Sequence, residues 1–347
     1  MATTIPIAAN DLNPAPIEAN DEVTSDWDEE SIASSTQSLS ESIREHVYEN
    51  GRRYHQKSKD QYMLPTDETE LDRLDMVHHM HLELLEGNLC ITKFEEGADP
   101  ANVLDCGCGT GIWALEFGDL HPGSQVIGLD LAPIQPGWTA PNVKFELDDL
   151  EKEWTYPKNH FNYIHSRHLI MSIKDWPRYI AQLYSHIAPG GRVELVEHTI
   201  DKSYSDDGTL LEESPFNAYW TALRPCYEKL GINWRLHGTH YKHMLEEAGF
   251  EDVTIYTLKV PAGGWPRDKK MRRLGSIFAQ VASTGVEAYG LGMLTSLGGY
   301  SVEEATELVK NSLVPLRDPK VHAYYFEYYI TARKHAWEGD TPLHLQS

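Results

Sequence analysis

Apolar positions along the chain follow three regimes. Residues 1–40 hold few large apolar side chains, with Pro14, Pro16, an acidic cluster from Asp26 to Glu30 and a serine-rich stretch from Ser31 to Ser40. Such a segment cannot bury enough surface to offset the entropy of ordering, so it reads as a solvated tail. From Glu41 the pattern turns helical, and residues 41–97 read as an N-terminal helical segment broken at Pro65. Within it Leu71, Leu74, Val77, His78, Leu82 and Leu85 recur at spacings of three and four, which predicts one amphipathic helix over 68–89.

The period then changes to short apolar runs. Strands are predicted at 102–105, 125–130, 143–147, 161–165 and 192–197, with helices at 112–120 and 176–187, the latter stopped by Pro189-Gly190-Gly191. Strands alternating with helices imply a mostly parallel sheet. Beyond Glu197 come helices at 213–230 and 240–248, a strand at 253–260, and a glycine-dotted, partly helical stretch at 261–319. A β-rich run, His322 to Arg333, follows. The organisation is thus a Rossmann-like α/β core over 98–260, a helical cap insertion over 261–320 and a closing strand over 321–335. No internal repeats occur.

Charge narrows the function classes. The 347 residues carry 53 Asp and Glu against 30 Lys and Arg, a formal net charge of −23. That field repels phosphate backbones and anionic lipid, so neither nucleic acid nor membrane is expected as a partner. No stretch approaches the ~20 apolar residues of a membrane span. The start of the chain lacks the basic and apolar regions of a secretory signal. Four cysteines (Cys90, Cys106, Cys108 and Cys226) are too few for a disulfide scaffold in a chain of this length. The expectation is a reduced intracellular protein, cytoplasmic or nuclear.

The chemistry concentrates in Val103-Leu-Asp105-Cys-Gly107-Cys108-Gly109-Thr-Gly111. Glycines after a strand permit a sharp turn and let backbone approach a ligand. A dinucleotide fingerprint needs G-x-G-x-x-G, and here Ile112 occupies the third glycine position. Asp105, just ahead of the first glycine, would repel a pyrophosphate and suits a cofactor with an ammonium tail. S-adenosylmethionine has that tail and no phosphates. Asp130 ends the next strand, about twenty residues on, where a carboxylate can accept from both ribose hydroxyls. Asp148-Asp149 follows the third strand, either as acceptor for an adenine amine or as a solvated loop. Ligands of open α/β sheets bind beyond the carboxyl ends of the strands, where all these residues fall.

These motifs resemble those of the LaeA-like fungal methyltransferases, class I enzymes associated with secondary metabolism. The resemblance rests on Asp105 to Ala114 and Gly128-Leu-Asp-Leu-Ala-Pro-Ile-Gln-Pro136. It extends to Asn50-Gly-Arg-Arg-Tyr-His55, Leu71-Asp-Arg-Leu-Asp75, Ala188-Pro-Gly-Gly191 with Glu194 and Glu197, and His322-Ala-Tyr324. It implies a seven-stranded sheet whose last strand is antiparallel. It implies that Asp105 and Gly107 to Gly111, with Cys108 and Gly109 between, hold the methionine end, Asp130 the ribose and Asp149 the adenine, with Tyr54 covering the cofactor; Leu131, Asp148 and His165 are further expected cofactor contacts. The implied activity is methyl transfer to a small-molecule secondary metabolite by direct displacement. The alternative is a nuclear regulator of secondary metabolism working through protein partners.

Other residues are weighed against plainer roles. His165 and His168, after the fourth strand, are candidate general bases or structural histidines. His237, His240 and His243 lack a completing Cys or Asp, and His78, His79 and His81 cannot point one way from one helix, so no metal is expected. Arg267-Asp-Lys-Lys-Met-Arg-Arg273 reads as a nuclear address or, more plainly, as the solvated first turns of a helix. Tyr219, Trp220, Trp234, Trp265 and Tyr300 either wall an acceptor pocket or fill core. Gly290, Gly292, Gly298 and Gly299 would let a lid over that pocket move.

Overall fold

The computed structural model describes residues 15–19, 46–49, 51–55, 64–94 and 98–336. The chain enters through an antiparallel hairpin, β1 (His46–Glu49) and β2 (Arg52–His55), where the periodicity predicts helix. The reason is local. Asn50-Gly51 is a preferred hairpin turn sequence, and Gly51 takes φ +81°, which a helix cannot accommodate. Next comes α1 (Glu68–Leu84), capped by Asp67, whose carboxylate accepts from the Glu70 backbone N–H. The same carboxylate takes two hydrogen bonds from the Arg52 guanidinium, at 2.7 and 2.8 Å, tying hairpin to helix. α1 stops short of the predicted Leu89 because Glu86 and Gly87 both adopt positive φ.

The core follows as β3 (Asn102–Cys106), α2 (Ile112–Leu120), β4 (Gln125–Asp130), β5 (Val143–Leu147), β6 (Phe161–Arg167), α3 (Trp176–His186) and β7 (Ile187–His198). Then come α4 (Pro215–Leu230), α5 (Gly238–Glu247), β8 (Glu251–Pro261), α6 (Lys269–Ser296), α7 (Val302–Ser312), α8 (Val314–Arg317) and β9 (Tyr324–Arg333). The seven strands β3–β9 form one sheet in the order β5-β4-β3-β6-β7-β9-β8. β3 to β7 run parallel, and β9 is antiparallel to both its neighbours. Central strands covered on both faces need continuous apolar runs. Val103 and Leu104 of β3 and Val193, Leu195 and Val196 of β7 are accordingly all buried. Trp113 and Phe117 of α2 pack on one face, Trp176, Tyr179 and Ile180 of α3 on the other.

The parallel strands bring the carboxyl ends of β3, β4, β5, β6 and β7 to one edge. α1 and the long α6 pack together. Asp268 caps α6, so Lys269–Arg273 are its first turns, and Lys270 and Arg273 reach Glu86 and Glu83 at 2.9 Å each. Gly290 and Gly292 lie inside this uninterrupted helix rather than at a hinge. A Cβ on Gly290 would come within 2.6 Å of the Tyr219 ring, so this glycine admits the tyrosine, whose hydroxyl donates to the Val286 carbonyl at 2.8 Å. Of the expected tail, residues 15–19 are described. Ala19 bridges Pro266, and the Arg267 N–H donates to the Glu18 carbonyl at 2.7 Å. The rest of 1–40 lies outside the described residues. Among those described, no helix is long and apolar enough to cross a membrane.

Candidate active site

The turn after β3 opens a cavity at the carboxyl edge of the sheet. Gly107 and Gly109, at φ +67° and +56°, form part of its wall, facing Leu74 and Val77 of α1. A Cβ on Gly107 would sit 2.4 Å from Leu169 Cδ2, so any side chain there displaces another wall residue. Asp130, ending β4, is anchored by N–H groups of Gly109 and Ala132 at 2.8 and 2.9 Å. Burial raises its pKa to about 6 against those two stabilising donors. Leu131, Asp148 and Asp149 join the wall, as do Leu150, Glu151, Arg167, Leu169 and Ile173. The predicted Gly107, Gly109, Asp130, Leu131, Asp148 and Asp149 are thus brought together.

Five other expected contacts fall elsewhere. Asp105 is not on the wall. It stands opposite His165 in the β3–β6 register, and its Oδ1 accepts from His165 Nδ1 at 2.8 Å. Its Oδ2 is buried with no donor among the described residues. His165 is itself buried, its ring stacked on Trp113 with centroids 3.8 Å apart, and it is not on the cavity wall. Gly111 caps α2 at φ +80°, and a Cβ there would lie 2.3 Å from Phe145 Cζ, so it makes room for helix–strand packing, not for ligand. The Cys108 side chain is buried against Gly128, off the wall, its thiol pushed upward in pKa by burial. Tyr54 is buried near Gly292 of α6 rather than lying over the cavity.

A second cavity adjoins the first, sharing Arg73, Val77, His168 and Tyr289. α6 roofs it with Phe278, Val281, Ala282, Gly285, Val286 and Tyr289, spaced as one helical face. α4 contributes Phe216 and Trp220, and the carboxyl end of β7 contributes His198 with Thr199, Lys202 and Ser203 beyond it. Of the aromatics singled out in the sequence only Trp220 reaches this cavity. Trp265 is buried, donating to the Ala323 carbonyl, and Tyr300 packs on the core.

Arg73 and His168 connect the cavities. Arg73, buried on α1, makes a two-pronged bond to Glu70 at 2.6 and 2.9 Å and lies over the Tyr289 ring. His168 follows β6 at φ +57°, a conformation held by Glu197, whose carboxylate accepts from the next two N–H groups, Leu169 and Ile170. His168 Nε2 lies 3.0 Å from Glu327 Oε1 on β9 and 3.3 Å from His81 Nε2 on α1. His81 Nδ1 is 2.6 Å from the Tyr329 hydroxyl. Burial and the Arg167 charge hold both histidines well below the usual imidazole pKa, while burial raises Glu327 to about 7. His81, His168 and Glu327 are close enough to share a metal ion. The Arg167 cation acts on all three and opposes a second positive charge, so the cluster reads as a proton-holding network.

Sequence reasoning missed Arg73, Glu327 and Tyr289. The signal available for the first was an Arg three residues after Glu70 amid an apolar stripe. His237 instead begins α5 and lies 3.1 Å from the Tyr328 hydroxyl, and His240 accepts from its N–H.

A family model described as a methyltransferase domain matches residues 76–255. "Methyltransferase pytC" of Aspergillus terreus is 38% identical over 302 residues, 87% of this chain and 92% of that protein. "Secondary metabolism regulator LAE1" of Cochliobolus heterostrophus is 31% identical over 295 residues, 82% and 94% of the two chains. "Protein-methionine methyltransferase laeA" of Emericella nidulans is 28% identical over 287 residues, 82% and 76%.

Proposed function

Because this chain belongs to the LaeA-like fungal methyltransferases, a class I family dependent on S-adenosylmethionine, we propose that it methylates a small-molecule secondary metabolite. The observation that carries this reading is the second cavity, roofed by α6 and joined to the first through Arg73, Val77, His168 and Tyr289.

The first cavity fits the cofactor. Asp130 is buried and pre-oriented by two N–H donors, as acceptance from ribose hydroxyls requires. Gly107 and Gly109 leave room that side chains would fill, and the carboxylates of Asp148 and Asp149 on the same wall are acceptors that suit an exocyclic amine. Arg73 and Arg167 on the same wall suit a carboxylate, and the excess of acids suits a ligand bearing ammonium and sulfonium charge.

S-adenosylmethionine, when bound, supplies an electrophilic methyl group on sulfur. The protein contributes alignment and exclusion of water. The α1–α6 pair covers the junction, and His168 lines both cavities. Calorimetry with S-adenosylhomocysteine and with NAD tests the cofactor assignment. Binding of the first and not the second is expected, and Asp130→Ala should weaken it by about 1–3 kcal/mol, the cost of unpaired hydroxyls. Tight NAD binding without a response to S-adenosylhomocysteine would falsify it.

A further inference from the structure

The two cavities differ in charge in a way the whole chain does not. With 53 acidic against 30 basic residues, a wall drawn at random carries carboxylates. The first cavity has four, from Asp130, Asp148, Asp149 and Glu151. The second has none among the described residues, while Arg73 and Lys202 line it. Its remaining surface is mostly apolar, with Phe216, Trp220 and Phe278 offering flat faces. A cation entering there would meet no carboxylate on the wall, since the Arg73 charge is already answered by Glu70 and Lys202 is an exposed positive side chain. A group that develops negative charge would meet a favourable field.

His168 completes the picture. Its Nε2 is turned toward Glu327 Oε1, 3.0 Å away and fully buried on β9, which leaves Nδ1 as the nitrogen available to the cavity. An imidazole held by a buried carboxylate on one nitrogen and open on the other is the arrangement of an oriented general base. The pair is faced by Arg73 and His81 from α1, Arg167 and His165 from β6, His198 from β7, and Tyr325 and Tyr329 from β9. Burial first, and then the Arg167 and Arg73 charges, keep His168 unprotonated, the form that accepts a proton.

We propose that the acceptor is an apolar molecule presenting an acidic hydroxyl, a phenol or an enol, methylated on that oxygen, with His168 as base and Glu327 as its positioning residue. The inference rests on the methyltransferase reading above. The hydroxyl proton passes to His168 Nδ1. The oxygen lone pair forms the new bond to carbon while the carbon–sulfur bond breaks and its electron pair returns to sulfur. The proton leaves to water after product release. An aliphatic amine acceptor arrives at neutral pH as an ammonium and finds no carboxylate on this wall and the Lys202 charge beside it. A carboxylic acid arrives ionised and leaves the His168–Glu327 pair without a task.

The test uses the full chain loaded with S-adenosylhomocysteine and three matched probes, 2-naphthol, 2-naphthylmethylamine and 2-naphthoic acid. The naphthol is expected to bind at least about tenfold more tightly than the amine. With labelled S-adenosylmethionine it is expected to be methylated faster than either. Lys202→Glu should weaken naphthol binding about tenfold and leave S-adenosylhomocysteine affinity unchanged. His168→Asn should lower turnover by about 10²–10⁴-fold, the range of general-base catalysis. Glu327→Gln, which keeps shape, should lower kcat with little change in KM and displace the pH–rate profile, which a purely structural role would not do. An amine bound as tightly as the hydroxyl, no binding of the naphthol, or turnover indifferent to His168→Asn overturns the proposal. Failure to bind S-adenosylhomocysteine is a separate result, against the cofactor assignment.

Discussion

Asp130 shows how one buried carboxylate couples stability and binding with opposite signs. Its folded pKa stands near 6, above its ordinary 3.8, so folding favours the protonated form. Its contribution to stability is full below about pH 4 and is lost as pH rises through 6. The melting temperature of the ligand-free protein should therefore carry a downward slope over that window, which Asp130→Asn removes. Cofactor ribose donates to the ionised form, so affinity runs the other way. The dissociation constant of S-adenosylhomocysteine should rise roughly tenfold from pH 7 to pH 5 in the wild type, by proton competition at a group of pKa near 6. A flat profile in calorimetry at the two pH values would refute the pairing. Gly111 is a different case, since its neighbour is Phe145 and not a ligand. Gly111→Ala should destabilise by about 1–3 kcal/mol through overpacking, and Phe145→Leu in the same chain should restore part of that loss. Measured by denaturant midpoint, an effect confined to cofactor affinity would contradict the packing role.

At the scale of elements, α6 divides its faces between two tasks. Phe278, Val281, Ala282, Gly285, Val286 and Tyr289 face the second cavity, while Gly290 receives Tyr219 from α4. Ala282→Leu should lower kcat/KM for the acceptor about tenfold or more and leave cofactor affinity unchanged, because Ala282 touches only the second cavity. Equal losses in both would mean the helix had moved. This division also marks the limit of what the sequence discloses. The parallel strands were legible because short apolar stretches such as Val103-Leu104 and Leu195-Val196 alternate with helical segments, and the cofactor loop because Gly107, Gly109 and Asp130 must sit at successive strand ends. The hairpin was not, since β1 and β2 are short and only Asn50-Gly51 announced the turn. Periodicity tells which face of α1 or α6 is apolar, but not whether that face meets core or cavity. Partnerships across elements were invisible for the same reason. Asp105 and His165 are 60 residues apart and meet only because β3 and β6 are neighbours. Glu327 and His168 are 159 apart.

For the molecule as a whole, the described piece of the N-terminal stretch touches the core lightly. Ala19 bridges Pro266, Glu18 accepts from the Arg267 N–H, and the Glu18–Arg267 ion pair at 3.7 Å is exposed. Deleting residues 1–40 should cost no more than about 1–2 kcal/mol, the worth of one or two hydrogen bonds, and leave cofactor affinity intact. A much larger shift in the denaturation midpoint would show that the stretch docks more extensively. The sheet itself imposes an order on assembly. β9 lies between β7 and β8, yet among the described strands it is the last to be made. From His198, where β7 ends, to Tyr324, where β9 begins, the ribosome needs roughly 6–25 s at 5–20 residues per second. Throughout that interval the nascent polypeptide carries β7 with an open, apolar edge and lacks Glu327 beside His168. Translation that terminates early, at a codon between β7 and β9, yields a chain that is both prone to edge-to-edge aggregation and without the carboxylate that orients His168.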